Sequence, residues 1–170
     1  SASRARSVSS RTVYRPTTNA TCKDCPAGYA QTKDGQAYCL PCNPGQKLAG
    51  AVCEDCVAGK YSGLKATTCT ECAKGYWQGE SGKPSCIACG AGHYGTAKAQ
   101  SAITSCIACG KGTFSSAQGA TAETQCNACP AGRIGTSPGQ TAASSACTNC
   151  LAGFFTSEGG KSECQSCPVG

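Results

Sequence analysis

The sequence predicts a small disulfide-rich repeat protein, an elongated rod of stacked hairpin-like loops with few short β-strands and essentially no long helix. Three observations carry that expectation. Cysteine takes 18 of 170 positions, the density at which a chain reads as a disulfide scaffold. Leu, Ile, Val and Phe together number 16 and Met is absent, too few for a conventional core in which each buried side chain contributes about 1.5–3 kcal/mol. Every cysteine belongs to a C-x-x-C pair that recurs along the chain, and self-similarity at this spacing marks a repeat architecture.

The nine pairs are Cys22/Cys25, Cys39/Cys42, Cys53/Cys56, Cys69/Cys72, Cys86/Cys89, Cys106/Cys109, Cys126/Cys129, Cys147/Cys150 and Cys164/Cys167. Three residues after each second cysteine stands a glycine, from Gly28 to Gly170, read as a turn with φ > 0. Two residues further, a ring or Ile usually follows, as at Tyr61, Trp77, Tyr94, Phe114, Ile134 and Phe155. That side chain is expected to cover a neighbouring disulfide as a miniature core. A second glycine (Gly35, Gly63, Gly82, Gly119, Gly139, Gly160) marks a mid-loop reversal. Units this small bury no face alone and must stack on their neighbours. The period wanders from 14 to 21 residues.

Two segments divide the chain. Residues 1–21 form a basic N-terminal tail and 22–170 the tandem repeats. The tail carries Arg4, Arg6, Arg11 and Arg15 and no acidic residue, which is most of the net charge of +6. Val8, Val13 and Tyr14, set among Ser, Thr and Arg, suit an extended strand docking on a sheet edge or groove, either of its own first repeats or of a neighbour. Asn19-Ala-Thr21 is an N-glycosylation acceptor sequence.

C-x-x-C pairs also spell zinc sites. Nine pairs cannot be grouped in fours without one left over, the glycine register differs from that of chaperone zinc domains, and the loops are nearly uncharged. Disulfides are therefore the reading, with no metal and no cofactor. They place the chain in an oxidising, extracellular or cell-surface setting, and its start at Ser1 reads as a processed product. Spacing favours serial closure over the rival, crossed scheme (Cys22–Cys39 with Cys25–Cys42, and so on). In serial order the bonds are Cys25–Cys39, Cys42–Cys53, Cys56–Cys69, Cys72–Cys86, Cys89–Cys106, Cys109–Cys126, Cys129–Cys147 and Cys150–Cys164. That order leaves Cys22 and Cys167 as candidates for a bond between subunits, joined head to tail.

The charge pattern lacks the basic stripe that tracks phosphates, so no nucleic-acid partner is expected. No apolar run approaches the ~20 residues of a membrane span. Carboxylates are single and scattered, and the one histidine, His93, has no triad partner in view. No catalytic residue and no small-molecule substrate are expected, so the chain reads as a non-enzyme. His93 reads as an exposed ring beside a disulfide, and Trp77 as local core.

The segments Cys25-Pro-Ala-Gly-Tyr29…Cys39-Leu-Pro-Cys42 and Cys129-Pro-Ala-Gly132…Cys147-Thr-Asn-Cys150 resemble the ephrin-receptor-like cysteine-rich repeat. They are also similar to the small loop of tumour-necrosis-factor-receptor modules, and the same spelling occurs in extracellular surface and fibre proteins of protists. The resemblance implies an extracellular, disulfide-linked rod without catalytic activity. Three function classes follow: a structural subunit of a self-assembling, glycosylated filament or surface fibre, the ectodomain of a receptor or surface antigen that binds a protein ligand, and a secreted binding module. The first is the leading expectation.

Overall fold

The structure, a computed structural model, describes residues 13–14, 23–33 and 38–168. Eight consecutive disulfides organise them. Loop 1 runs from Cys25 to Cys39, loop 2 from Cys42 to Cys53, loop 3 from Cys56 to Cys69 and loop 4 from Cys72 to Cys86. Loop 5 runs from Cys89 to Cys106, loop 6 from Cys109 to Cys126, loop 7 from Cys129 to Cys147 and loop 8 from Cys150 to Cys164. Their Cα–Cα separations of 5.4–5.9 Å lie in the unstrained range for the bond. The described residues form two compact units, unit 1 within 1–70 and 80–85, and unit 2 within 71–79 and 86–170.

One local plan recurs. After the opening cysteine the backbone makes a tight turn, seen where the N–H of His93 donates to the Gly90 carbonyl at 3.1 Å and that of Thr113 to Gly110 at 3.1 Å. Gly92 and Gly112 sit at φ 79° in these turns, the type II position that a side chain resists. The next two residues pair antiparallel with the two residues inside the following C-x-x-C. In unit 2 His93 faces Ala108 and Tyr94 faces Ile107, and Phe154 faces Ser166 and Phe155 faces Gln165. A bond from the second cysteine's N–H back to the turn glycine closes the ribbons of loops 1, 2 and 4 to 8, as from Cys109 to Gly92 at 2.8 Å.

The wandering period has a physical cause. Loops 5, 6 and 7, with sequence separations of 17, 17 and 18, each insert one helical turn just before the closing cysteine. These are the 3-10 turns Ile103–Ser105 and Glu123–Gln125 and the α-turn Ala143–Ala146. Loop 2, at separation 11, spends its length on a four-residue ladder of Gln46–Ala49 with Val52–Asp55, reversed at Gly50.

Loops stack through backbone hydrogen bonds. In unit 2, loop 5 meets loop 6 through Gly119 N–H to Cys89 C=O at 2.8 Å, Gly92 N–H to Ser115 C=O at 2.7 Å and Gly95 N–H to Ala120 C=O at 2.9 Å. In unit 1 the same three bonds join loops 2 and 3: Lys65 to Cys42, Gly45 to Ser62 and Leu48 to Ala66. The residue that donates to the cysteine carbonyl is left-handed throughout: Lys65, Gly82, Ala99, Gly119, Gly139 and Gly160. This corrects the sequence reading for Gly63. The loop 3 reversal falls two residues later, at Lys65 with φ 61°, because the slot is fixed by its bond to Cys42 and not by which residue bears no side chain.

Sulfur replaces the missing aliphatic core. Cys42, Cys56, Cys72, Cys89, Cys109 and Cys129 are 0–2% exposed, and Ala30, Ala120, Ala146 and Cys147 are the other buried apolar residues among those described. Phe114 packs with Ala143 against Cys129, Ala146 and Cys147, so the ring of loop 6 covers the disulfide of loop 7.

Candidate functional site

Stacking reaches two loops along the chain. A Cβ on Gly75 would fall on the Gly119 carbonyl, one on Gly92 on that of Gly139, and one on Gly112 on that of Gly160. The turn glycines of loops 4, 5 and 6 are thus buried beneath the left-handed turns of loops 6, 7 and 8. Side chains follow the same rule: the Tyr76 ring lies against Gly119, and the His93 ring against Gly139. His93 is accordingly half-buried and not an exposed ring, with Nδ1 3.3 Å from the Ala91 carbonyl. Trp77 is half-buried, its ring edge against Gly79.

The pattern stops at the last two loops. Gly132 and Gly153 are exposed, and a Cβ on either would meet nothing within 4 Å. Cys150 is half-buried, unlike the earlier opening cysteines of unit 2. Around it Leu151, Phe154 and Phe155 are 78%, 49% and 37% exposed. An apolar groove of about 380 Å³ opens between Ile134, Leu151, Phe154 and the Cys150–Cys164 bond. Loop 8, with a separation of 14, lacks the helical turn whose Ala143 and Ala146 occupy the corresponding place in loop 7. A second, polar groove of about 260 Å³ is lined by Thr156, Ser157, Glu158, Lys161, Glu163 and Gln165.

Charge is sparse here. Lys161 Nζ lies 2.9 Å from Glu158, and Lys83 lies 2.7 Å from Glu80 in loop 4. Each lysine's hydrogen bond and charge hold its glutamate below the usual carboxylate range. Both pairs straddle a left-handed glycine, Gly82 or Gly160.

Sixteen of the cysteines are joined in the eight disulfides, and Cys167 is a free, exposed thiol. Cys22, Asn19 and Val8 lie outside the described residues. Val13 and Tyr14 form a two-residue strand on their own chain, facing Asp24 and Lys23. The sequence alone does not single out Cys150, Gly153, Phe155 and Thr156. The signal for them is the repeat register, which assigns the same three backbone groups to every loop.

Among the described residues no group of three or more His, Cys, Asp or Glu is placed to hold a metal ion, and no helix is long and apolar enough to cross a membrane. No curated protein matches the chain. Residues 59–102 match the family model described as tyrosine-protein kinase ephrin type A/B receptor-like. Residues 59–102 are thus similar to an ephrin-receptor-like cysteine-rich domain, and with eight disulfides in tandem the findings support an extracellular or cell-surface cysteine-rich module.

Proposed function

We propose that these residues are a structural subunit of an extracellular fibre, in which the repeats form a rod that lengthens by head-to-tail association of copies. The observation that carries this reading is the stacking itself, in which successive loops join through the same three backbone hydrogen bonds, as loop 5 to loop 6 and loop 2 to loop 3. A stack held by backbone hydrogen bonds can accept one more loop without any new side-chain chemistry. A contact that joins one end to the opposite end is heterologous, and unless it closes into a ring it yields an open filament. In this reading residues 1–21 are an arm at the joint, with Val8, Val13 and Tyr14 in the docking segment, and Asn19 carries a glycan at the start of the repeats.

The family match favours a second reading, the ectodomain of a receptor or surface antigen with a protein ligand. Negative-stain microscopy of the purified protein separates the two. Filaments at raised concentration support the fibre subunit. Monodisperse particles at every concentration and in oxidising buffer refute it and leave the receptor-like reading.

A further inference from the structure

Resting on the fibre reading, we infer that an apolar patch at the junction of loops 4 and 5, within unit 2, is a lateral contact in which two copies dock the same patch on one another. The patch is built by register. Ile87 faces Trp77 across the loop 4 ribbon, and cross-strand partners share a face. Loop 5 reaches the same place. The Gln78 N–H donates to the Gln100 carbonyl at 2.9 Å, and a Cβ on Gly79 would lie 3.2 Å from Cζ3 of Trp77 and 3.4 Å from the Ser101 carbonyl. Ile103 opens the 3-10 turn two residues later. Its counterpart in loop 7, Ala143, packs with Phe114, the counterpart of Trp77, on the Cys129–Cys147 disulfide. The same register sets Ile103 beside the Trp77 ring. Ile87 is 47% and Ile103 64% exposed.

The fold does not ask for isoleucine at either position. Where Ile87 stands, loops 3, 6, 7 and 8 hold Thr70, Asn127, Thr148 and Gln165. Where Ile103 stands, loop 6 holds Glu123. Those loops close with the same disulfide and, in loops 6 to 8, pair the same ribbon. Two large aliphatic side chains left in water beside the chain's one tryptophan are therefore explained by what they meet and not by what they hold together.

Charge and size identify the occupant as a second copy. Each copy carries a net charge of +6, so two copies meet at least cost where charge is absent. Lys98 is the one Lys, Arg, Asp or Glu in residues 84–110. A contact of three side chains is far smaller than the ~800 Å² that each partner of a stable complex buries, so a single soluble ligand gains little from it. Two fibres instead present the patch once per subunit, and each further contact forms between partners already tethered at high effective concentration. Docking of one patch on itself is isologous. It pairs fibres side by side and leaves the head-to-tail joint free.

NMR of the protein at rising concentration tests the contact before any fibre forms. From micromolar to millimolar protein, the Trp77 indole and the Ile87 and Ile103 methyls should shift. Ile103→Glu, a residue that loop 6 carries at this position, sets like charges against each other in the docked pair and should weaken self-association on the order of tenfold or more. Ile87→Thr should weaken it in the same direction. Ile107→Asn removes an isoleucine that is 45% exposed but lies opposite Tyr94, outside the patch, and should change nothing. With eight disulfides verified in every variant, negative stain should show paired filaments for the parent and single ones for Ile103→Glu. Shifts that are absent, lie elsewhere or persist in Ile103→Glu overturn the patch while leaving the fibre reading intact, as does an equal loss in Ile107→Asn. Patch shifts without filaments at any concentration refute the fibre reading and leave only a weak pair of copies.

Discussion

Replacing Gly92 by Ala tests whether the loops stack as described, and Gly153→Ala is its internal control. Gly92 sits at φ 79°, where an L side chain costs about 1–2 kcal/mol. Its new Cβ would fall on the Gly139 carbonyl and come within 3.1 Å of the Gln140 oxygen. Both are backbone atoms, so loop 7 must move. That movement strains the bonds from Gly139 N–H to Cys109 at 2.8 Å and from Ser115 N–H to Gln140 at 3.0 Å, each contributing about 0.5–1.5 kcal/mol. The whole loss is about 2–5 kcal/mol. Gly153 has φ 84° and nothing within 4 Å, so Gly153→Ala should cost only the conformational ~1–2 kcal/mol. Urea unfolding with disulfides intact measures both, provided the slope is unchanged between variants. Equal midpoint shifts for the two variants would refute the contact of loop 5 with loop 7.

Ala99→Gly should stabilise the fold by about 0.5–1 kcal/mol, because Ala99 holds φ 56° in a slot that is otherwise mostly glycine. Lys65→Gly should gain less in the same melt, since Lys65 Nζ lies 4.9 Å over the Tyr29 ring and that contact is lost. A strong reductant should unfold the protein while a chelator leaves its melting curve unchanged, and Cys109→Ala with Cys126→Ala should cost about 3 kcal/mol. Glu80 and Glu158 ionise more readily in the fold than in the open chain, so what each ion pair contributes is present above the ordinary glutamate value and is lost as pH falls through the depressed one. An NMR titration should find the Glu80 midpoint raised in Lys83→Met; an unmoved midpoint would show that the pair does not form in solution.

Much of this architecture is legible from the cysteines and glycines alone. The spacing of the pairs favours serial closure, and the structure closes them in that order. The glycine after each C-x-x-C reads as φ > 0 because its turn admits little else. Three features escape a reading by residue type. The left-handed slot is set by a bond to the preceding cysteine's carbonyl, so Lys65 and Ala99 occupy it without a local signal. The helical turns of loops 5 to 7 are only three or four residues long, too short for any apolar period. Contacts from Gly92 to Gly139 or Tyr76 to Gly119 link loops two apart, and no pattern within one loop records them. The open face of loop 8 becomes visible only once those contacts define what a covered face is.

The fold tolerates its irregular period for the same reason. Each junction needs only one carbonyl and two N–H groups at fixed register, so the residue after the turn glycine varies freely: Tyr29, Gln46, Lys60, Tyr76, His93, Thr113, Arg133 and Phe154. Extra length enters as a helical turn before the closing cysteine, outside those positions, and the disulfide returns the chain to register. Stability in such a stack is approximately a sum over loops and their interfaces, here with a further contribution from loops two apart. Interior loops are held from both sides. A side-chain change at the post-glycine position of an interior loop therefore alters little beyond its own cover.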